Sequence, residues 1–326
     1  MPDLEKFKSA KIIFVIGIGG SDLASKAVWN AMTLHKPVTK KILFLESPDS
    51  REYEEVANFV NHQIAVPEDV TMIAVSKSGK TEETLIAFHK TFDILSEKFG
   101  VPINERVLVI SSPDTPLSKL AEEKGMVKLD WEGDIGGRFS AFTVAHTAVL
   151  EIAGLDMQKF INGKKERRKD SEELAGKIFE NYKNGAEILD IFIFNSELED
   201  LGKWVRQLVA ESLATLTPTV SLGPVDLHSM LELYLEKPET RFTIFIKSEK
   251  EITGSVNAKS YENMVAEYEK RSLSFYKYEI AEINEQELGK FMSFMMEMVL
   301  ELAKLLGVNP YDQSEVENYK KSLHNL

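Results

Sequence analysis

The sequence predicts an α/β protein made of two doubly wound parallel sheets, each flanked by helices in a three-layer αβα arrangement. Three observations carry that expectation. Short β-branched apolar runs alternate with amphipathic stretches of helical length in both halves of the chain. Turns rich in glycine and hydroxyl residues follow several of these runs, where open α/β sheets gather their ligands. The 326 residues, 43% hydrophobic and 28% charged, suffice for two domains of ordinary size, each with its own core.

In the first half, strands are expected at Ile12–Ile16, Ile42–Leu45, Met72–Val75, Val107–Ile110 and Met126–Leu129, each a short apolar run bounded by polar or turn residues. Helical periodicity is met near 21–33, 50–63, 81–98 and 116–124, and a fifth helix near 139–153 closes a first domain set at 1–155. Composition turns polar from Gly154 to about Asn184, with the charged run Lys164–Asp170 at its middle, so 156–184 reads as a helical linker. A second domain, 185–326, repeats the alternation. Its strands are Ile188–Phe194, Thr217–Leu222, Phe242–Ile246 and Phe275–Ile280, with helices near 202–214, 227–236, 257–270 and 284–306. No residue-level repeat relates the halves. Met292, Met295, Met296 and Met298 read as core filler of the last helix.

Composition narrows the function classes. Lys plus Arg number 39 against 52 Asp plus Glu, a net charge of −13, which argues against a nucleic-acid binder or a protein of anionic membrane surfaces. An anionic ligand then needs a local site. The absence of cysteine excludes disulfides, thiolate-held metals and a cysteine nucleophile, and fits a reducing cytoplasm. The six histidines show no HxH or HExxH spacing, so no metal is expected. The polar N-terminus is unlike a signal peptide, and the apolar run Ile12–Ile18 is far short of a membrane span.

Gly17-Ile18-Gly19-Gly20-Ser21-Asp22 leaves the first strand and opens a helix, where glycines let backbone N–H groups approach an anion. It begins like a dinucleotide fingerprint, with Glu46 placed like a ribose-binding acid, but Asp22 stands where the third glycine belongs. A plain strand-to-helix turn is the bland alternative. Ser76-Lys77-Ser78-Gly79-Lys80-Thr81-Glu82-Glu83-Thr84 gathers hydroxyls, ammonium groups and N–H groups at a helix start. It is not a Walker A loop, since Ala74 holds the first-glycine position. Helix capping would need one hydroxyl, and the surplus favours a phosphate cradle.

Gly136-Gly137-Arg138-Phe139-Ser140 presents an arginine from a glycine turn, suited to a phosphate or a developing oxyanion; an ordinary surface charge is the alternative. Glu211 shares a helix face with Trp204, Leu208 and Thr215 and is expected half-buried, where desolvation suits a general base, although a border glutamate is also a common salt-bridge partner. His228 is expected in the first turn of the helix after Gly223-Pro224, with Glu232 one turn on. Its charge state is open, and a lone histidine is commonly structural. Lys320, in a helix that restarts after Pro310, reads unaided as a surface charge.

Taken in order, these segments resemble the phosphoglucose isomerase family. The likeness runs through IGIGGSDL at 16–23, SKSGKTEET at 76–84, GGRFS at 136–140, QLVAES at 207–212, DLHS at 226–229 and NPYDQSEVENYK at 309–320, nearly the whole chain. It implies two sugar-isomerase domains and a metal- and cofactor-free interconversion of glucose 6-phosphate and fructose 6-phosphate through a cis-enediol, in glycolysis and gluconeogenesis. It implies that Glu211 is the proton-transfer base and that Arg138 steadies the enediolate. His228 would assist ring opening at the ring oxygen, with Lys320 at the hydroxyl of carbon 1. Ser76, Lys77, Ser78 and Thr81 match the family's phosphate loop, and Gly20 and Ser21 its sugar-facing loop. Because the family's histidine comes from the other subunit, a homodimer with shared active sites is implied.

The chain departs from the family at Leu213 and Ala214, where polar and glycine residues are usual, at Leu227, where a glutamine is common, and at Glu315, where a glycine is common. None of these removes a catalytic group; they bear on substrate selectivity. A relative that also accepts mannose 6-phosphate, or a non-catalytic sugar-phosphate-binding protein, are the competing readings. A sensor has no use for Glu211, His228 and Lys320 together, which favours an enzyme.

Overall fold

The computed structural model describes residues 4–165, 168–313 and 315–316. Strands β1 (Ile12–Ile16), β2 (Lys41–Leu45), β3 (Val70–Ser76), β4 (Val107–Ser111) and β5 (Val127–Asp130) form a parallel sheet in the order β2-β1-β3-β4-β5. Strands β6 (Ile188–Ile193), β7 (Thr217–Leu222), β8 (Arg241–Ser248) and β9 (Phe275–Ile280) form a second parallel sheet, ordered β7-β6-β8-β9. The chain divides into two compact units, one of residues up to Trp29 with Thr33–Met157, the other of Asn30–Met32 with the residues from Gln158 on.

In the first unit every residue of β3 and β4 is buried, as a parallel sheet covered on both faces requires. Phe14, Ile16, Met72, Ala74, Val107 and Val109 face helices Ser50–Gln63, Glu82–Phe99 and Pro116–Glu123, meeting Val56, Val60, Phe88, Leu95 and Leu117. Ile13, Val15, Ile73, Val75, Leu108 and Ile110, on the opposite face, are buried as fully. At about 25 cal/mol per Å² of apolar area removed from water, each such side chain contributes roughly 1.5–3 kcal/mol.

The core of the second unit is aromatic. Phe192, Phe194, Tyr234, Phe245, Tyr261 and Tyr268 form one cluster, with Phe192 stacked on Phe194 and Tyr268 edge-on to Phe245, each pair 5.0 Å between ring centroids. Helix Glu285–Leu306 buries Met292, Met295 and Met298, while Met296 is half-buried. Its Gly289 meets the chain so closely that a Cβ there would lie 2.0 Å from the Phe160 carbonyl oxygen. Segment 158–183, which contains helix Arg168–Lys183, is thereby part of the second unit.

Two helices differ from expectation. The helix placed near 139–153 begins only at Val144. Ser140 Oγ donates to the Gly137 carbonyl at 2.6 Å and Thr143 Oγ1 to that of Ser140 at 2.8 Å, side-chain bonds that compete with helical ones. The single helix expected near 227–236 is two, Val225–Ser229 and Leu231–Glu236, broken at Met230. Asp226 is the reason: its carboxylate accepts from Leu222 N at 2.7 Å and from Ser229 Oγ at 2.8 Å, tying the first turn back to β7.

Candidate active site

In the first sheet the strand order reverses between β1 and β3, and the loops that follow these strands open at the carboxyl edge, where such sheets bind ligands. Two glycine turns meet there. A Cβ on Gly20 would lie 2.6 Å from the Gly137 carbonyl carbon and 2.9 Å from Arg138 N, and one on Gly137 would lie 3.0 Å from Gly20 Cα. Only hydrogen fits at Gly20, whose backbone rests on that of Gly137 and Arg138. Arg138 is not the surface charge its sequence context allowed. It is 3% exposed, with its guanidinium 5.6 Å from the Phe139 ring centroid.

The loop after β3 is organised around Ser76, which is buried and accepts at Oγ from Gly79 N at 3.1 Å. Gly79 has φ +56°, and a Cβ there would strike Thr115 Oγ1 at 2.4 Å and Ser111 Oγ at 2.9 Å, so both conformation and space demand glycine. Thr81 occupies the N-cap position of helix Glu82–Phe99, yet its hydroxyl makes no capping bond. Asp49, Thr115, Ser255 and Asn284 do cap their helices. The capping account of this hydroxyl-rich segment therefore fails at its central residue. Ser76 Oγ and Thr81 Oγ1 stand 3.4 Å apart. Ser78 is exposed, accepting from Lys80 N at 3.3 Å. Lys77 reaches Asp134 at 2.5 Å and holds that carboxyl below its usual range.

Beneath the first glycine turn lies Asp22, wholly buried, its carboxyl beside that of Glu46. Desolvation, and then the charge of nearby Glu46, push its pKa well above the ordinary value. Glu46, placed by sequence like a ribose-binding acid, is ion-paired with Lys26 instead. That pairing removes the residue on which a dinucleotide reading leaned.

In the second unit Glu211 is half-buried near the end of helix Glu199–Leu213, as its helical register implies. Its Oε1 accepts from Gln207 Nε2 at 2.7 Å and its Oε2 from Gln313 Nε2 at 3.0 Å. It lines an open cleft of about 380 Å³ with Ser212, Ala214, Val308, Asn309 and Gln313. Sequence reasoning gave neither glutamine a role. The four-residue spacing of Gln207 and Glu211 was a usable signal, whereas Gln313 arrives from a distant segment and had none.

His228 is exposed and sits in the last turn of Val225–Ser229, not in the first turn of a longer helix, so Glu232 is not its neighbour on one helix face. Val225, Met230 and Leu233 around it are exposed apolar side chains. Glu211 precedes β7 and His228 follows it, so the six-residue strand separates them by about 17–20 Å along its length. Lys320 lies outside the described residues. Among the described residues no group of three or more His, Cys, Asp or Glu is arranged to hold a metal, and no helix is long and apolar enough to cross a membrane.

Residues 4–213 match the phosphoglucose isomerase family. The chain belongs to that family. The match includes the glycine turns, the 76–84 loop, Arg138 and Glu211, and it ends before His228. A glucose-6-phosphate isomerase of Fusobacterium nucleatum is 28% identical, over 99% of this chain and 81% of its own. One from Methanocaldococcus jannaschii is 27% identical, over 98% of this chain and 86% of its own. Among solved structures, a glucose-6-phosphate isomerase from Chlamydia trachomatis superposes with a TM-score of 0.81 at 18% identity, over 99% of this chain and 71% of its own. A hypothetical protein from Thermus thermophilus gives 0.85 at 21% identity, over 99% and 86%. At those identities the structural likeness establishes the fold.

Proposed function

We propose that the chain interconverts glucose 6-phosphate and fructose 6-phosphate through a cis-enediol, the activity after which its relatives are named. The observation that carries the reading is the Glu211 carboxylate, oriented by two amide donors at the wall of an open cleft. One donor on each oxygen fixes the direction of the carboxylate. Glu211 takes the proton from carbon 2 of the open-chain aldose while the carbonyl oxygen on carbon 1 is protonated. It then returns a proton to carbon 1 as the hydroxyl on carbon 2 becomes the carbonyl and releases its proton to solvent, which replaces the one taken up at the oxygen on carbon 1. Atoms and electrons balance without an external redox partner.

Loop 76–81 of the first unit serves as the phosphate anchor, through Ser76, Thr81 and the uncapped helix start. Gly20 and Ser21 face the sugar, and Arg138 offers a permanent charge to the enediolate. Lys77 and Ser78 belong to the same loop, with Lys77 acting from its ion pair. His228, with Lys320, serves ring opening. Since β7 holds Glu211 and His228 at opposite edges of the second sheet, we assign the His228 that serves each Glu211 to a second copy of the chain. The exposed Val225, Met230 and Leu233 suit that contact. The protein is then a homodimer with shared sites, working in cytoplasmic glycolysis and gluconeogenesis.

A coupled assay that follows glucose 6-phosphate formed from fructose 6-phosphate tests the reading. A folded protein without turnover would defeat it. Mannose 6-phosphate as an alternative substrate measures how narrow the selectivity is.

A further inference from the structure

His146 lies on helix Val144–Ala153 and has no exposed surface. Its ring touches three separate segments. Nδ1 accepts the Ser25 N–H at 3.2 Å, so this nitrogen is unprotonated and the neutral ring carries its proton on Nε2. Nε2 stands 3.1 Å from the Gly20 carbonyl oxygen and 3.0 Å from Ser140 Oγ. The Ser140 hydroxyl proton is directed to the Gly137 carbonyl at 2.6 Å, which leaves its oxygen to accept. Burial lowers the ring's pKa to about 4, so the ring stays neutral and keeps this donor pattern near neutrality.

Gly20 and Gly137 meet through backbone van der Waals contact, and Ser140 Oγ, which donates to the Gly137 carbonyl, lies 3.3 Å from the Gly20 carbonyl oxygen. A shared N–H donor adds direction. We infer that His146 is a positioning residue: its Nε2–H ties the Gly20 turn to the Arg138 turn and so sets where the Arg138 guanidinium stands relative to the reacting carbons. This rests on the isomerase reading above. The imidazole touches no substrate in this role, and the phosphate loop at 76–81 lies outside its contacts. The consequence falls on transition-state stabilisation by Arg138 and spares phosphate binding.

Three substitutions separate the ring's two hydrogen-bonding ends. His146→Asn keeps an acceptor near Nδ1 but cannot reach Gly20; His146→Gln places an N–H near Nε2; His146→Leu keeps neither. The Asn and Leu variants should lose about ten- to a hundredfold in kcat, with KM and the Kd for inorganic phosphate changed by less than about twofold, and Gln should recover most of the loss. Equal losses in Gln and Asn would overturn the proposal, as would a loss confined to KM, because either would mark a merely structural residue. Wild-type turnover tests the isomerase reading separately. The ring tautomer, read from its nitrogen-15 shifts in the unmodified chain, tests the clamp without turnover. A proton on Nδ1 would overturn it whether or not the chain is active.

Discussion

Gln207 and Gln313 each donate an amide hydrogen bond to one oxygen of the Glu211 carboxylate and so direct it. Glu211→Gln keeps the shape and removes the basic lone pair. Isomerisation should fall by roughly two orders of magnitude or more with folding intact. Solvent-deuterium incorporation at the carbon beside the carbonyl reads proton abstraction directly, and exchange at the parent rate would place the base elsewhere. Two buried groups of the first unit give opposite pH signatures. Asp22, its pKa raised from 3.8, stabilises the fold fully below that value, and the contribution is lost as pH rises through its folded pKa. His146, lowered from 6.5 to about 4, stabilises it fully above 6.5, and that contribution is lost as pH falls toward 4, a swing of about 3 kcal/mol. Asp22→Asn should therefore raise Tm increasingly with pH, and His146→Asn should flatten the acid limb. Thermal melts across pH check both, and parallel wild-type and variant curves would contradict them.

At the scale of an element, loop 76–81 binds phosphate alike in the ground and transition states if it is the anchor. Ser76→Ala and Thr81→Ala should then raise KM more than they lower kcat, and the reverse split in steady-state kinetics would move the anchor. Helix Glu199–Leu213 ends at Ala214, which adopts φ +48° where the family usually has glycine. A left-handed alanine costs about 1 kcal/mol relative to an unstrained residue. Ala214→Gly should thus stabilise the fold by roughly 0.5–1 kcal/mol, visible as a shift in the denaturant midpoint. No shift would mean that the added backbone entropy of glycine offsets the relief.

For the whole molecule, Glu211 and His228 lie at opposite ends of β7, and the proposed reaction, which uses both, calls for a dimer. Mixing Glu211→Gln chains with His228→Ala chains should restore part of the activity that each lacks, since one of the two shared sites in a mixed dimer is then intact. Demonstrated mixed dimers with no recovered turnover would put both groups in one subunit.

The alternation of apolar runs determined the strands, because burial on both faces of a parallel sheet writes itself as short continuous apolar segments; β1 falls on the residues expected. Local chemistry also marked the turns at Gly20, Gly79 and Gly137, and helical register placed Glu211 at a half-buried border. Only the tertiary structure decided which charges are already engaged: Lys77 by Asp134 and Glu46 by Lys26. It also decided that Arg138 is buried, that Gln313 reaches Glu211, and that His146 joins three segments. Each of these depends on atoms brought together from distant positions in the chain, for which a periodicity of two or 3.6 residues carries no signal. The break at Met230 is local: Asp226 accepts from Leu222 N four residues back and from Ser229 Oγ three residues on, side-chain bonds that a helical periodicity does not register.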